Sequence, residues 1–335
     1  MAEYIGVDIG QYSVKVAHIR KAGKSFVCNN MIYEVLPEAV RRGTDKGGLK
    51  KLITNILKFH KINKGLPILH ISSSDALMRN ITVPENTTKE QLESSIEMEL
   101  APSLPFPMDQ VYYDFDEDVG PDGSHLVIAG RRDIIDAKTS LFSEKAKTLE
   151  DPQVDLDVFA FERLFQSLIA SGDISGENVA VVDIGYLRTR ISVYQNGRYV
   201  FVRDAQIGGN QATEMIRDVY DVDLETAETK KLNLTVDDEY NNLVLKPYVA
   251  SFAEQLNLAI DFYEASGISA KALDRIYLVG GGALLHGLVD RLRDSVSAPV
   301  ELLNIKNKLK VRSDIDGKQL SLSGALAMGL AMEAK

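Results

Sequence analysis

Cysteine is nearly absent. Cys28 is the single one in 335 residues, so no internal disulfide can form and a cytosolic setting is the natural reading. A lone cysteine on a strand reads as packing rather than as a reactive thiol. No run approaches the roughly 20 apolar residues of a membrane-crossing helix, and the opening MAEYIGVDIG lacks the basic-then-apolar order of a secretory signal. Membrane association is therefore expected only through a partner, at the inner face, with no direct insertion. Positive charge is also short: 38 Lys and Arg stand against 48 Asp and Glu, a net charge of −10. Duplex binding depends on Lys and Arg displacing phosphate counterions, which argues against nucleic acid as the main partner. The basic stretch Lys46 to Lys64 reads as a solvated helix face. With 45% hydrophobic and 26% charged residues, the chain falls outside the disordered and fibrous classes, and its length fits two domains, each with its own core.

What is present is a phrase that occurs twice. Ile5 to Ile19 reads IGVDIGQYSVKVAHI and Val179 to Tyr194 reads VAVVDIGYLRTRISVY. Each predicts two strands joined by a tight turn, with Gly10 and Gly185 supplying the backbone freedom of the turn. Each turn would present free N–H groups beside a carboxylate, Asp8 or Asp183, which suits a phosphate chain carrying Mg²⁺. Two copies predict two related domains clasping one nucleotide.

Around these hairpins the chain alternates strands and helices. Ser25 to Glu34 extends the first sheet, Asp45 to Lys61 predicts a helix with Leu49, Leu52, Ile53, Ile56 and Leu57 on one face, and Pro67 to Ser73 predicts a short buried strand. The class is α/β with a mixed sheet. A different module follows: a helix over Lys89 to Leu100 capped by Thr87 or Thr88, a proline-broken exit at Pro102, Pro105 and Pro107, strands over Val111 to Phe115 and His125 to Gly130, and a helix over Asp133 to Leu149. Helices are then expected at 157–171, 211–220, 224–234, 248–266, 284–297 and 320–332, with strands at 199–204 and 276–279. The boundaries are 1–80 for the first core part, 81–150 for the inserted subdomain and 151–335 for the second domain with a return to the core. In the subdomain, Leu92, Ile96 and Leu100 form a stripe that packs inward. Leu104, Phe106 and Met108, alternating with prolines, make the candidate exposed edge for a partner.

With two Asp-x-Gly hairpins, an IGGN loop and YLVGGGALLHGL in this order, the chain resembles the actin-like ATPase superfamily over nearly its whole length. Four stretches carry a likeness to the PilM family of type IV pilus assembly, relatives of the cell-division protein FtsA. They are IGVDIGQYSVKV, QLESSIEMELAPSLPFP, FVRDAQIGGNQATEMI followed by LETAETKKL, and IYLVGGGALLHGLVDRL. The resemblance implies duplicated actin-like, ribonuclease H-like domains clasping ATP or ADP with Mg²⁺. Asp8 and Asp183 would hold the metal, largely through water. The turns Gly10, Gln11, Tyr12 and Ser13, and Gly185 to Arg188, would wrap the phosphates, with Lys15 countering their charge. Gly208, Gly209 and Asn210 would lie by the ribose and phosphates, Glu228 and Lys231 by the adenosine, and Gly280, Gly281 and Gly282 would let the backbone approach the nucleotide. The alternative for Lys15 is a solvent-facing strand residue, and without the resemblance Glu228 and Lys231 read as a surface ion pair.

Two departures shape the expected activity. The second turn, GYLRTR, is bulky, and at 157–162 the chain reads DVFAFE, with Phe159 where many relatives place a polar residue that orients the attacking water. Asp157 and Glu162 are the candidate substitutes. Nucleotide binding with slow or negligible turnover follows. The chain stops soon after Ala331, leaving no room for the membrane-lying helix of FtsA-like proteins. The functional expectation is a cytoplasmic scaffold that docks the short tail of a PilN-like inner-membrane protein in a groove between core and subdomain. A type II secretion platform or division protein is the runner-up, and a sugar or acetate kinase the enzymatic alternative. Self-association is left open.

Overall fold

The computed structural model describes residues 2–22, 25–84, 87–120, 123–142, 149–170, 172, 174–233, 236–268, 271–303, 305, 310–311 and 322–332. Three strands open the chain as an antiparallel meander, β1 Glu3–Ile9, β2 Ser13–Ala22 and β3 Ser25–Val35. They are followed by helices α1 Glu38–Arg41 and α2 Gly48–Phe59 and by β4 Leu66–Ile71. The inserted part contributes β5 Ala76–Ile81, α3 Lys89–Leu100, β6 Val111–Phe115, β7 His125–Arg131 and α4 Arg132–Thr139. Next come β8 Gln153–Leu156 and α5 Asp157–Ile169, then a second meander of β9 Asn178–Ile184, β10 Thr189–Gln195 and β11 Arg198–Ala205. Helices α6 Gly209–Tyr220, α7 Leu224–Asn233, α8 Asp238–Tyr240 and α9 Lys246–Ala265 lead to β12 Arg275–Val279. The remaining elements are α10 Leu288–Arg293, β13 Val300–Leu302, β14 Lys310–Val311 and α11 Ala325–Ala331.

The two large sheets are built alike. One runs β14-β3-β2-β1-β4-β8 and the other β11-β10-β9-β12-β13, so each has an antiparallel meander on one side of its first strand and parallel strands on the other. Alternation explains why both faces of the central strands are apolar. In β1, Ile5 and Val7 pack with Ile53, Ile56 and Leu57 of α2, while Tyr4 faces the opposite side. In β9, Ala180 and Val182 pack toward α6 and α9, while Val179 and Val181 face the opposite side. Those opposite sides share one core with α5 and α11, which lie between the sheets. The approach of α11 to β1 is close enough that a Cβ on Gly6 would stand 1.9 Å from the Ala327 carbonyl oxygen, so only glycine fits there.

The subdomain sheet is β5-β7-β6, antiparallel, with Ile96 and Leu100 of α3 fully buried against Ile81, Val127 and Ala129. A capping box on Thr88 and Gln91 starts α3 as the sequence predicts. Leu104 and Met108 correct the expected exposed edge: both are half-buried against this small core, and Phe106 alone is open, at 37% exposure. Prolines break the helix at its exit without turning its apolar residues outward.

Other differences have local causes. The helix expected over 133–149 ends at Thr139 because Leu141 and Phe142 turn into the core of the first sheet; residues 143–148 lie outside those described. The one expected from Leu284 begins at Leu288, after a 3₁₀ turn, Gly281–Leu284. Leu320 and Ser321 of the last predicted helix lie outside the described residues. Strand β8, C-terminal to the expected boundary at 151, pairs in parallel with β4 in the first sheet. The Lys50, Lys51, Lys58, Lys61 and Lys64 positions are exposed, as a solvated face requires.

A candidate nucleotide cleft

The two turns have the same geometry. Gly10 N–H donates to the Ser13 carbonyl at 3.0 Å, and Gly185 N–H donates to the Arg188 carbonyl at 2.9 Å. Register is also shared, with Asp8 opposite Lys15 in the first hairpin and Asp183 opposite Arg190 in the second. Both turns line a cavity of about 350 Å³ between the lobes, within the range of small-molecule sites.

Asp8 is buried at the end of β1 and is held from two sides. Lys15 Nζ donates to Oδ2 at 3.1 Å and His70 Nε2 donates to Oδ1 at 3.2 Å. Burial alone would raise its pKa, but the Lys15 ammonium and the His70 contact hold the carboxyl well below its ordinary range. Lys15 is thus a half-buried cavity cation, not the solvent-facing strand residue of the alternative reading; its pKa is raised by Asp8 and Asp183 against the pull of burial. Asp183 has no such support. Among the described residues its carboxylate makes no hydrogen bond or ion pair, and burial with the nearby Asp8 charge pushes its pKa up to about 6.

The glycine segment after β12 comes close to this carboxylate. Gly280 has φ +86, and a Cβ there would lie 2.4 Å from Asp183 Oδ1, so the position admits glycine for both conformation and space. Gly281, Gly282 and Gly209 also line the cavity, as do Gln11, Tyr12, Ser13 and Arg188. Gly208 and Asn210 do not line it. They back onto the second turn, where Asn210 N–H donates to the Tyr186 carbonyl at 2.9 Å. The rings of Tyr12 and Tyr186 meet across the turns, centroids 5.0 Å apart, and the Arg41 guanidinium lies 4.9 Å from the Tyr12 centroid.

Lys231 is buried and Glu228, one turn before it on α7, is half-buried rather than on the surface. Lys231 Nζ donates to Glu228 Oε2 at 2.7 Å and to Thr213 Oγ1 at 2.9 Å, beneath the start of α6. Burial lowers the Lys231 pKa and Glu228 opposes that. Thr213, four residues after Gly209 on the inner face of α6, is a contact that sequence reasoning missed.

A second missed group surrounds Arg190. Its Nε and Nη2 donate to the two Asp204 oxygens, each at 2.8 Å, and it pairs as well with Asp157 and with the Ser72 hydroxyl in the first lobe. Asp157 Oδ1 also accepts the N–H groups of Ser73 at 3.0 Å and Val158 at 2.8 Å. Phe159 lies off the cavity, edge-to-face with Tyr199 at 6.0 Å. Glu162 is also away from it, accepting the Tyr199 N–H. Lys138, near the end of α4, does line the cavity with Ser72 and Asp75; burial lowers its pKa, opposed by Asp8 and Asp75.

Carboxylates outnumber cations on this wall, with Asp8, Asp75, Asp157, Asp183, Asp204 and Glu228 facing or flanking the cavity. No cluster of three or more His, Cys, Asp or Glu able to cage a metal occurs among the described residues. Two separate carboxylates fit a Mg²⁺ that keeps most of its waters and takes its remaining oxygens from phosphates. They do not fit a resident structural metal.

Comparison with known proteins follows the same lines. The family model described as type IV pilus assembly protein PilM matches residues 6–335. A solved PilM-PilN type IV pilus biogenesis complex contains a chain 22% identical over 99% of this chain and 98% of its own, with a TM-score of 0.77. Two further structures share the fold at lower similarity. Ethanolamine utilization protein EutJ from Carboxydothermus hydrogenoformans is 17% identical over 98% of this chain and 90% of its own, TM-score 0.53. MreB5 of Spiroplasma citri, bound to ADP, is 12% identical over 98% and 95%, TM-score 0.52.

Proposed function

Because this chain belongs to the type IV pilus assembly protein PilM family, we propose that it is an actin-like, nucleotide-binding scaffold that docks the cytoplasmic tail of a PilN-like inner-membrane protein. The observation that carries the nucleotide half is the convergence of two matching hairpins, with Asp8 and Asp183 at equivalent positions, on one interlobe cavity. ATP or ADP with Mg²⁺ is the ligand. The turns 10–13 and 185–188 take the phosphates, Glu228 and Lys231 the nucleoside, and Gly280 to Gly282 the close backbone approach. Gly208 and Asn210 act behind the second turn.

The inserted subdomain, 81–150 by sequence with its first strand starting at Ala76, is the partner-binding part. Phe106 supports this reading, as an exposed aromatic with the Arg131 guanidinium 5.0 Å from its ring centroid. Aromatic and arginine side chains are the commonest anchors of protein interfaces. No described helix is long and apolar enough to cross a membrane, and attachment at the inner membrane is assigned to the partner. A kinase reading gains no support from the connector, where Asp157 is engaged by Arg190 and two backbone N–H groups.

The test joins titration calorimetry with Mg·ATP to capture of a synthetic tail peptide. Nucleotide binding by the wild type and peptide capture that depends on the subdomain are the expected results. A folded protein that binds no nucleotide refutes the first half. Full peptide capture by a folded variant lacking 81–150 refutes the second.

A further inference from the structure

Among the described residues, Lys138 is the cavity cation left without a counter-ion. Lys15 is committed to Asp8, Arg190 to Asp157 and Asp204, and Lys231 to Glu228, while Arg188 stands 4.0 Å from Asp204. The Lys138 ammonium makes no hydrogen bond or ion pair among the described residues. A partly desolvated ammonium without a partner is less favourable than one in water, and an anion entering the space it faces offsets that cost.

Its place in the chain adds a second constraint. Helix α4 begins directly after β7, the central strand of the subdomain sheet, and Asp75 immediately precedes β5 of the same sheet. Both ends of the inserted subdomain therefore reach the cavity wall on the Asp8 side. Lys231 and Glu228 reach it from the second lobe, beside the start of α6. Asp8 and Asp75 are the carboxylates that act on Lys138, so a nucleotide with its nucleoside by Glu228 and Lys231 and its phosphates running toward Asp8 would turn the phosphate end toward it.

We infer that Lys138 binds the terminal phosphate of a nucleoside triphosphate, so that the inserted subdomain itself makes the cleft distinguish triphosphate from diphosphate. This rests on the nucleotide-binding reading above. It adds a ligand that the hairpin motifs do not contain, and it places the triphosphate sensor on the part of the chain assigned to the partner.

Calorimetric titration of wild type, Lys138→Met and Lys138→Arg with Mg·ATP and with Mg·ADP tests it, with thermal unfolding as the check on folding. Methionine keeps the apolar stem and removes the charge. Lys138→Met should weaken ATP binding tenfold or more and ADP binding less than twofold, while Lys138→Arg should hold ATP affinity within about threefold of wild type. Equal losses for the two nucleotides, or no loss for either, overturn the inference while leaving the nucleotide site in place. A wild type that binds neither nucleotide overturns the nucleotide reading together with the inference. Should Lys138→Met fail to fold, Lys138→Gln carries the same expected tenfold ATP loss and the same refuting outcomes.

Discussion

The Tyr12 and Tyr186 rings stack across the cleft, 5.0 Å apart and 28° from parallel, so each hairpin turn closes against the other through an aromatic face. A stacked pair contributes about 0.5–1.5 kcal/mol beyond its buried area. Tyr186→Ala should therefore release bound nucleotide roughly two- to tenfold faster, as read by stopped-flow displacement of a fluorescent nucleotide. An unchanged dissociation rate would mean that the stack does not close the path out.

Asp183 gives a pH dependence whose sign is fixed by its environment. Its pKa is raised from 3.8 to about 6 by burial and by Asp8, so the folded protein without ligand gains from protonation. That contribution is full below pH 3.8, is lost as pH rises through about 6, and stays lost above. Binding of Mg·ATP needs the ionised form and runs the other way: affinity should be level above about pH 6 and fall by up to tenfold per unit below it. Asp183→Asn should raise the unliganded melting temperature at pH 7 by a few degrees, equivalent to roughly 1–2 kcal/mol, and should abolish the Mg²⁺ contribution to ATP binding. A binding curve flat from pH 5 to 8 contradicts this account.

Turnover should be slow. Phe159 lies off the cavity, and the Asp157 carboxylate that does reach it is already held by Arg190 and the N–H groups of Ser73 and Val158. Steady-state phosphate release is expected well below about 1 per second. A rate inside the kinase range of roughly 1–100 per second would show that another group orients the attacking water.

Two substitutions separate the subdomain's core from its surface. Ile96 is fully buried, and Ile96→Ala should destabilise by about 2–5 kcal/mol. Phe106→Ala should leave the melting temperature nearly unchanged while weakening tail-peptide binding tenfold or more, by fluorescence anisotropy. Equal peptide affinity in Phe106→Ala and wild type would move the docking surface elsewhere.

Local patterns made much of this molecule legible. The apolar runs before Asp8 and Asp183 mark strands buried on both faces, and Thr88 with Pro102 brackets α3 at its observed ends. The short strands β8 and β14 have too few residues to show a period, and they are strands only because a sheet edge is there to receive them. Arg190 and Asp204 face each other across β10 and β11, but Asp157 and Ser72 are distant in the chain and join them only in the folded molecule. One signal for Arg190 was nonetheless available: overlaid on the first hairpin, it occupies the register position of Lys15. His70 and Lys138 sit in no motif, and only the folded cavity picks them out. Leu104 and Met108 were misjudged because proline alternation tells where a helix stops and not which way the next side chains turn.

Helix α11 packs on β1, β2 and β4 and against α5, and β14 adds to the edge of the first sheet at β3. The lobe opened by β1 is thus completed by residues more than 300 positions later in the chain, since β1 ends at Ile9 and α11 begins at Ala325. At about 5–20 residues per second, the apolar face of β1 toward α11 waits tens of seconds for its cover. Contacts of such long sequence separation also slow folding. Until α11 emerges, the newly made first lobe therefore exposes an apolar face of the kind that chaperones cover, and a nascent chain stalled before Ala325 holds that face open.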